Sequence, residues 1–107
     1  MFSEITPLDL KEKLENETRL HLLDVREAGE LALAKITDYP LMHIPLNQLP
    51  QRYRELPEGA DIFIICRSGN RSGQACQYLA GLGYKVTNLK GGLLRWAEDV
   101  DPEMEID

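Results

Sequence analysis

The chain has 107 residues, 43% of them hydrophobic and 28% charged, the balance of a soluble globule with one modest core. A formal net charge of −6 argues against the basic face that nucleic acid demands and against a polybasic contact with a membrane. The N-terminal "MFSEITPLDL" has no cationic stretch followed by an apolar run, and no run is long enough to cross a bilayer. The expectation is one cytoplasmic domain over 1–107, with its core at about 5–100 and an acidic, frayed tail at 101–107.

Thr6 and Pro7 read as the N-cap and first residue of a helix over "TPLDLKEKLEN", in which Leu10 and Leu14 lie one turn apart on one face. "LHLLDV" (20–25) reads as a strand running into the charged "DVRE", and "EAGELALA" (27–34) as a short helix. Tyr39-Pro40 breaks the chain before a second strand, "LMHIPL" (41–46), which Pro45 stops. "NQLPQRYREL" (47–56) reads as a helix ended by Pro57 and Gly59. "DIFIIC" (61–66) is continuously apolar and rich in isoleucine, as a parallel strand covered on both faces must be. A helix over "SGQACQYLAGLG" (72–83), a strand at "KVTNL" (85–89), a turn at Gly91-Gly92 and a helix over "LLRWAEDV" (93–100) complete the chain. Alternating strands and helices define an α/β domain with a mainly parallel sheet, whose site lies beyond the carboxyl ends of the strands.

Cys66 stands at such an end, and "CRSGNRS" follows it. Two thiols at positions 66 and 76 make neither a CxxC pair nor a zinc site. Gly69 permits a positive φ, and successive N–H groups of such a turn form an anion-binding nest. The helix N-terminus adds partial positive charge, and Arg67 and Arg71 add full charges. That field favours an accessible thiolate, a nucleophile at neutral pH, and the same donors can hold an anionic substrate. A buried inert cysteine would need none of these neighbours. Cys76, by contrast, shares a helical face with Ser72, Ala75 and Leu79, which is core spacing. His21 and His43 lie in apolar strands without neighbours at ligand spacing and read as structural, and Trp96 reads as a packing anchor. Asp24 and Arg26 sit at a strand end from which they can brace the cysteine loop.

The segments "LLDVRE", "IPL" and "DIFIICRSGNRSGQACQYLAGLGYKVTNLKGGLLRWAEDVDP" resemble single-domain rhodaneses, or sulfurtransferases, over about residues 5 to 102. The cysteine loop is the most specific part, and "RWAEDVDP" is also similar to rhodanese domains appended to adenylyltransferases that activate sulfur carriers. The resemblance implies a five-stranded parallel sheet flanked by helices on both faces, and ping-pong transfer of sulfane sulfur. Cys66 would attack a donor such as thiosulfate and become a persulfide, which cyanide, a thiol or a protein thiol would discharge. The amides of Arg67, Ser68, Gly69, Asn70, Arg71 and Ser72 would cradle the persulfide, with both arginines attracting the anionic donor. No metal or organic cofactor is implied. One stretch departs from the family pattern: "AKITDYPLMHIPL" stands where a Gly-His pair and a segment two residues shorter are usual, which implies an altered rim and acceptor preference.

Rhodanese-like phosphatases and arsenate reductases are the nearest rivals, but they use C-x5-R to encircle a tetrahedral oxyanion, whereas Cys66 to Arg71 is C-x4-R. A persulfide carrier or binding module serving a dedicated protein partner is the other alternative.

Overall fold

The computed structural model describes residues 2–17 and 19–106. Its elements run β1 (Ser3–Ile5), α1 (Pro7–Asn16), β2 (His21–Asp24), α2 (Ala28–Leu33), β3 (Leu41–His43), α3 (Leu49–Arg52), β4 (Asp61–Ile65), α4 (Asn70–Gly81), β5 (Lys85–Leu89) and α5 (Gly92–Asp99). The five strands form one sheet in the order β1-β5-β4-β2-β3, every neighbouring pair parallel. β4 is central, which explains its unbroken apolar run. Its side chains alternate between two cores. Ile62 and Ile64 join Leu49, Ala75, Cys76 and Leu79 of α3 and α4 on one face, while Phe63 and Ile65 join Leu10, Leu14, Leu93 and Trp96 of α1 and α5 on the other.

Local signals explain most boundaries. The Thr6 hydroxyl accepts the Asp9 N–H at 3.2 Å and caps α1, with Pro7 in its first turn. α4 begins at Asn70, two residues ahead of the 72–83 expectation, because Gly69 takes φ +100° and turns the chain into the helix at once. The helix expected over 47–56 is instead a four-residue α-turn flanked by 3₁₀ turns at Leu46–Gln48 and Tyr53–Glu55. Pro50 supplies no N–H to a longer ladder there. β1 is an edge strand of three residues, too short and too exposed to show a period, and the residues alone did not mark it.

The tail corrects another expectation. Met104 and Ile106 pack against the α1/α5 core rather than fraying, and the Asp101 N–H reaches the Trp96 carbonyl at 3.0 Å. No helix among the described residues is long and apolar enough to cross a membrane.

Candidate active site

Cys66, Asp24 and the Lys90-Gly91-Gly92 turn all lie at the carboxyl end of the sheet, where β4, β2 and β5 finish. Two hydrogen bonds converge on the Cys66 sulfur. The Gly69 N–H donates at 3.0 Å, and the Ser72 hydroxyl stands at 3.2 Å. The left-handed turn at Gly69 aims its N–H back at the sulfur, and a side chain there would be strained by φ +100° and crowd the Gly91 nitrogen at 3.3 Å. Cys66 is fully buried, which corrects the expectation of an accessible thiol. The sulfur forms the floor of the loop, while Arg67, Ser68 and Asn70 form its exposed rim.

α5 holds this floor from behind. The Leu93 and Leu94 N–H groups donate to the Cys66 and Arg67 carbonyls at 2.9 and 3.0 Å. A Cβ on Gly92 would fall 2.5 Å from the Arg67 carbonyl oxygen and 2.6 Å from that of Cys66. Gly92 is therefore more than a turn residue, because only a residue without a side chain lets the start of α5 come this close to the loop.

The two arginines differ. Arg67 is exposed at the rim, beside a cleft that Leu33 and Ala34 of the α2 end share with Glu105 and Ile106 of the tail. Arg71 points away into a bidentate pair with Glu30 of α2, both contacts at 2.7 Å. Expected as a free cation for an anionic donor, Arg71 is instead matched by a carboxylate. The guanidinium holds the Glu30 carboxyl down at about 2, helped by the Glu27 N–H that the same carboxylate accepts at 2.9 Å. Its own carboxylate partner raises the pKa of Arg71 in turn.

Asp24 and Arg26 are both buried and form a two-pronged pair, Nε to Oδ1 at 3.0 Å and a terminal nitrogen to Oδ2 at 2.8 Å. Neither hydrogen-bonds to the cysteine loop, although Arg26 lines the same cleft as Arg67. Arg26 spends its other donors on the carbonyls of Glu30 and Ala34, at 3.4 and 2.8 Å, and so fixes α2 and the segment after it. Their connection to the loop passes through Glu30 to Arg71. Ala34, Ile36 and Tyr39 show where the unusual 34–46 stretch goes. Ala34 takes the Arg26 bond and borders the cleft, while Ile36 and Tyr39 pack into the α1/α5 core. His43 is structural: its Nε2 lies 2.6 Å from the Arg26 carbonyl, an acceptor only, so this nitrogen carries the proton.

Cys76 is equally buried, and burial, with the charges of Glu4 and Cys66 adding to it, pushes its thiol up to about 12. Reading along the chain also missed two residues that complete the floor. Asn88 of β5 accepts the Ser72 hydroxyl through Oδ1, and its Nδ2 donates to Gly69 O at 3.2 Å and to Glu4 at 3.1 Å. Glu30 was the other. Its sequence signal is Glu27-x-x-Glu30 at the start of a helix, which announces a cap and says nothing of an arginine forty-one residues on.

A central parallel sheet with a cysteine-headed loop at its carboxyl edge defines an α/β protein that holds a cysteine sulfur against a backbone N–H and a hydroxyl. The Rhodanese-like domain family model matches residues 6–99, and the chain belongs to that family. It is 37% identical over 100 residues to the putative sulfurtransferase YtwF of Bacillus subtilis (strain 168), covering 94% of this chain and 95% of that protein. It is 40% identical over 98 residues to a sulfurtransferase of Allochromatium vinosum, covering 91% and 90%. The crystal structure of a rhodanese-related protein from Thermoplasma volcanium superposes with a TM-score of 0.84 at 29% identity, covering 99% of this chain and all of that one.

Proposed function

We propose that this protein is a sulfurtransferase that moves sulfane sulfur from thiosulfate or a similar anionic donor to a thiophilic acceptor through a persulfide on Cys66. The observation that carries the reading is the Cys66 sulfur held by the Gly69 N–H and the Ser72 hydroxyl inside a C-x4-R turn. Relatives named sulfurtransferases at full-length similarity support it. The Cys66 thiolate attacks the outer sulfur of thiosulfate. The new S–S bond forms as the old one breaks, and its electron pair leaves with sulfite. An acceptor nucleophile, cyanide or a thiolate, then takes the terminal sulfur, and the electron pair of the persulfide bond returns to Cys66. Both halves are displacements at sulfur with no net redox change and no cofactor, in the reducing setting of a cytoplasmic thiol pool.

In this scheme the loop amides from Arg67 to Ser72 receive the terminal sulfur, Arg67 draws the anionic donor to the rim, and Arg71 keeps the ring in shape through Glu30. The Asp24–Arg26 pair holds the α2 segment against which that ion pair closes. The test is intact mass after incubation with thiosulfate. The wild type gains one sulfur atom, lost again on adding cyanide with release of thiocyanate, and Cys66→Ala gains none. No gain by the wild type, or an equal gain by the variant, refutes the scheme. A gain that small acceptors fail to discharge and a partner thiol does marks a dedicated carrier.

A further inference from the structure

The floor of the loop contains one proton for two acceptors. Ser72 has a single hydroxyl hydrogen, yet its oxygen lies within hydrogen-bond distance of both the Cys66 sulfur and Asn88 Oδ1. The orientation of Asn88 follows from its surroundings. Its other side faces the Gly69 carbonyl and the Glu4 carboxylate, both acceptors, so the amide nitrogen must lie there and Oδ1 must face Ser72. Asn88 and Ser72 are both buried, so water does not offer either a substitute. Among the described residues no fully buried side-chain nitrogen or oxygen is left without a partner.

We propose that Asn88 is a positioning residue that gives the Ser72 hydroxyl a second resting place, so that Ser72 donates to Cys66 only while that sulfur is charged. The idea rests on the sulfur-transfer reading for its purpose, though its geometry stands alone. When Cys66 is a thiol, its S–H can point to the Ser72 oxygen and the hydroxyl points to Asn88. When Cys66 is a thiolate, the hydroxyl rotates to the sulfur and leaves Asn88. In the persulfide the inner sulfur is divalent and carries little charge, and the hydroxyl returns to Asn88 while the loop amides hold the terminal sulfur. When an acceptor removes that terminal sulfur, charge develops again on Cys66 and the hydroxyl swings back to stabilise the leaving thiolate. No proton is transferred; one O–H bond turns. The device gives the Ser72 hydroxyl an acceptor in every state of the cycle, and only in the thiolate state does Asn88 Oδ1 give up its donor.

The consequence is a coupling of defined sign. In the wild type, donation from Ser72 to the thiolate is offset by the bond it gives up to Asn88. Without Asn88 the hydroxyl has no rival claim, and its whole worth goes to the thiolate. The experiment measures the rate of Cys66 alkylation by iodoacetamide against pH in four proteins: wild type, Ser72→Ala, Asn88→Ala and the double variant. It needs no sulfur-transfer activity, so its failure is separable from failure of the proposed function. The charged groups of this region, Arg67 and Arg71 from the loop, Glu30 from α2, Asp24 from β2 and Glu4 from β1, as well as the Cys76 thiol on α4, are common to the two proteins of each background; Asn88→Ala frees Glu4 from its amide with and without Ser72 alike, so its effect cancels in the difference. Ser72→Ala is expected to move the alkylation midpoint upward by less than about half a pH unit in the wild-type background and by about one unit in the Asn88→Ala background. A Ser72→Ala shift that is equal in the two backgrounds, or smaller without Asn88, overturns the proposal and leaves Asn88 as a strut between β5 and the loop.

Discussion

Cys66 and Cys76 have the same side chain and the same burial, and lie in one core, yet their surroundings differ in kind. Cys66 follows directly on β4 and meets an inward-turned N–H and a hydroxyl. Cys76 sits in mid-helix among Ala75, Leu79, Val86 and other apolar neighbours, and burial alone dominates its chemistry. Burial therefore does not separate the two thiols. What separates them is whether the fold has aimed polar hydrogens at the sulfur, and in the proposed transfer that is what suits Cys66 to react, because a thiolate removed from water needs replacement donors.

The largest effect expected is the one that separates them outright. Cys66→Ala abolishes thiosulfate:cyanide transfer, a loss of at least about a thousandfold, with circular dichroism unchanged. Cys76→Ala keeps activity within about twofold and costs about 1 kcal/mol of stability in urea denaturation. Similar activity losses in the two variants would remove the distinction.

Gly92→Ala tests what makes the Cys66 surroundings special. The added methyl group meets the Cys66 and Arg67 carbonyls, and φ is +62°, so both contact and conformation resist it. A loss of about 2 kcal/mol or more is expected, together with slower alkylation of Cys66 as the loop shifts off α5. Full activity and an unchanged melting temperature would show that α5 does not seat the loop.

The raised thiol of Cys76 predicts an alkaline signature. A folded-state value of about 12 against an ordinary 9.0 means that the stability Cys76 contributes is whole below pH 9 and is lost as pH rises from there toward 12. Cys76→Ala should flatten that alkaline limb of the stability–pH curve, and in the wild type Cys76 should resist alkylation until the protein unfolds. An alkaline limb of unchanged slope in the variant would contradict the assignment.

The smallest effect concerns the ring around Cys66. Glu30 and Arg71 are about a third exposed, so Glu30→Gln should cost no more than about 1 kcal/mol. Glu30 is depressed from 4.5 to about 2, so its contribution is present above pH 4.5 and fades as pH falls toward 2; the variant should lose that acid dependence. Arg67→Ala, which releases no comparable partner among the described residues, should instead raise the donor KM several-fold with little change in melting temperature. If the two variants behave alike, the division of labour between rim and ring is wrong.

Much of this was legible along the chain because it rests on local physics. The run of Ile62 to Ile65 announces a strand buried on both faces, Thr6-Pro7 announces a helix start, and the Cys66–Ser72 heptapeptide carries its nucleophile, its glycine and its charges together. The spacing of Cys76 from Ser72 and Leu79 placed it in the core without any knowledge of what would cover it. Short or broken elements were less visible. Ser3–Ile5 becomes a strand only because β5 offers it an edge, and the residues after Leu46 take tight turns that no single period describes.

The sequence by itself determined the α/β class, the strand that leads into Cys66, the loop whose glycine can turn an N–H onto the sulfur, and the core position of the second cysteine. Each of these depends on residues within a few positions of one another, where spacing is geometry. Only the tertiary structure decided that Arg71 is spent on Glu30, that Asp24 and Arg26 act on α2 instead of on the loop, that Gly92 lets α5 close on the Cys66 carbonyl, that the tail borders the rim, and that Asn88 shares the proton of Ser72. Those partners are brought together by the order β1-β5-β4-β2-β3, which sets β5 and β2 on either side of β4. A charge or an amide has no period along the chain to say which partner it will meet when the sheet closes.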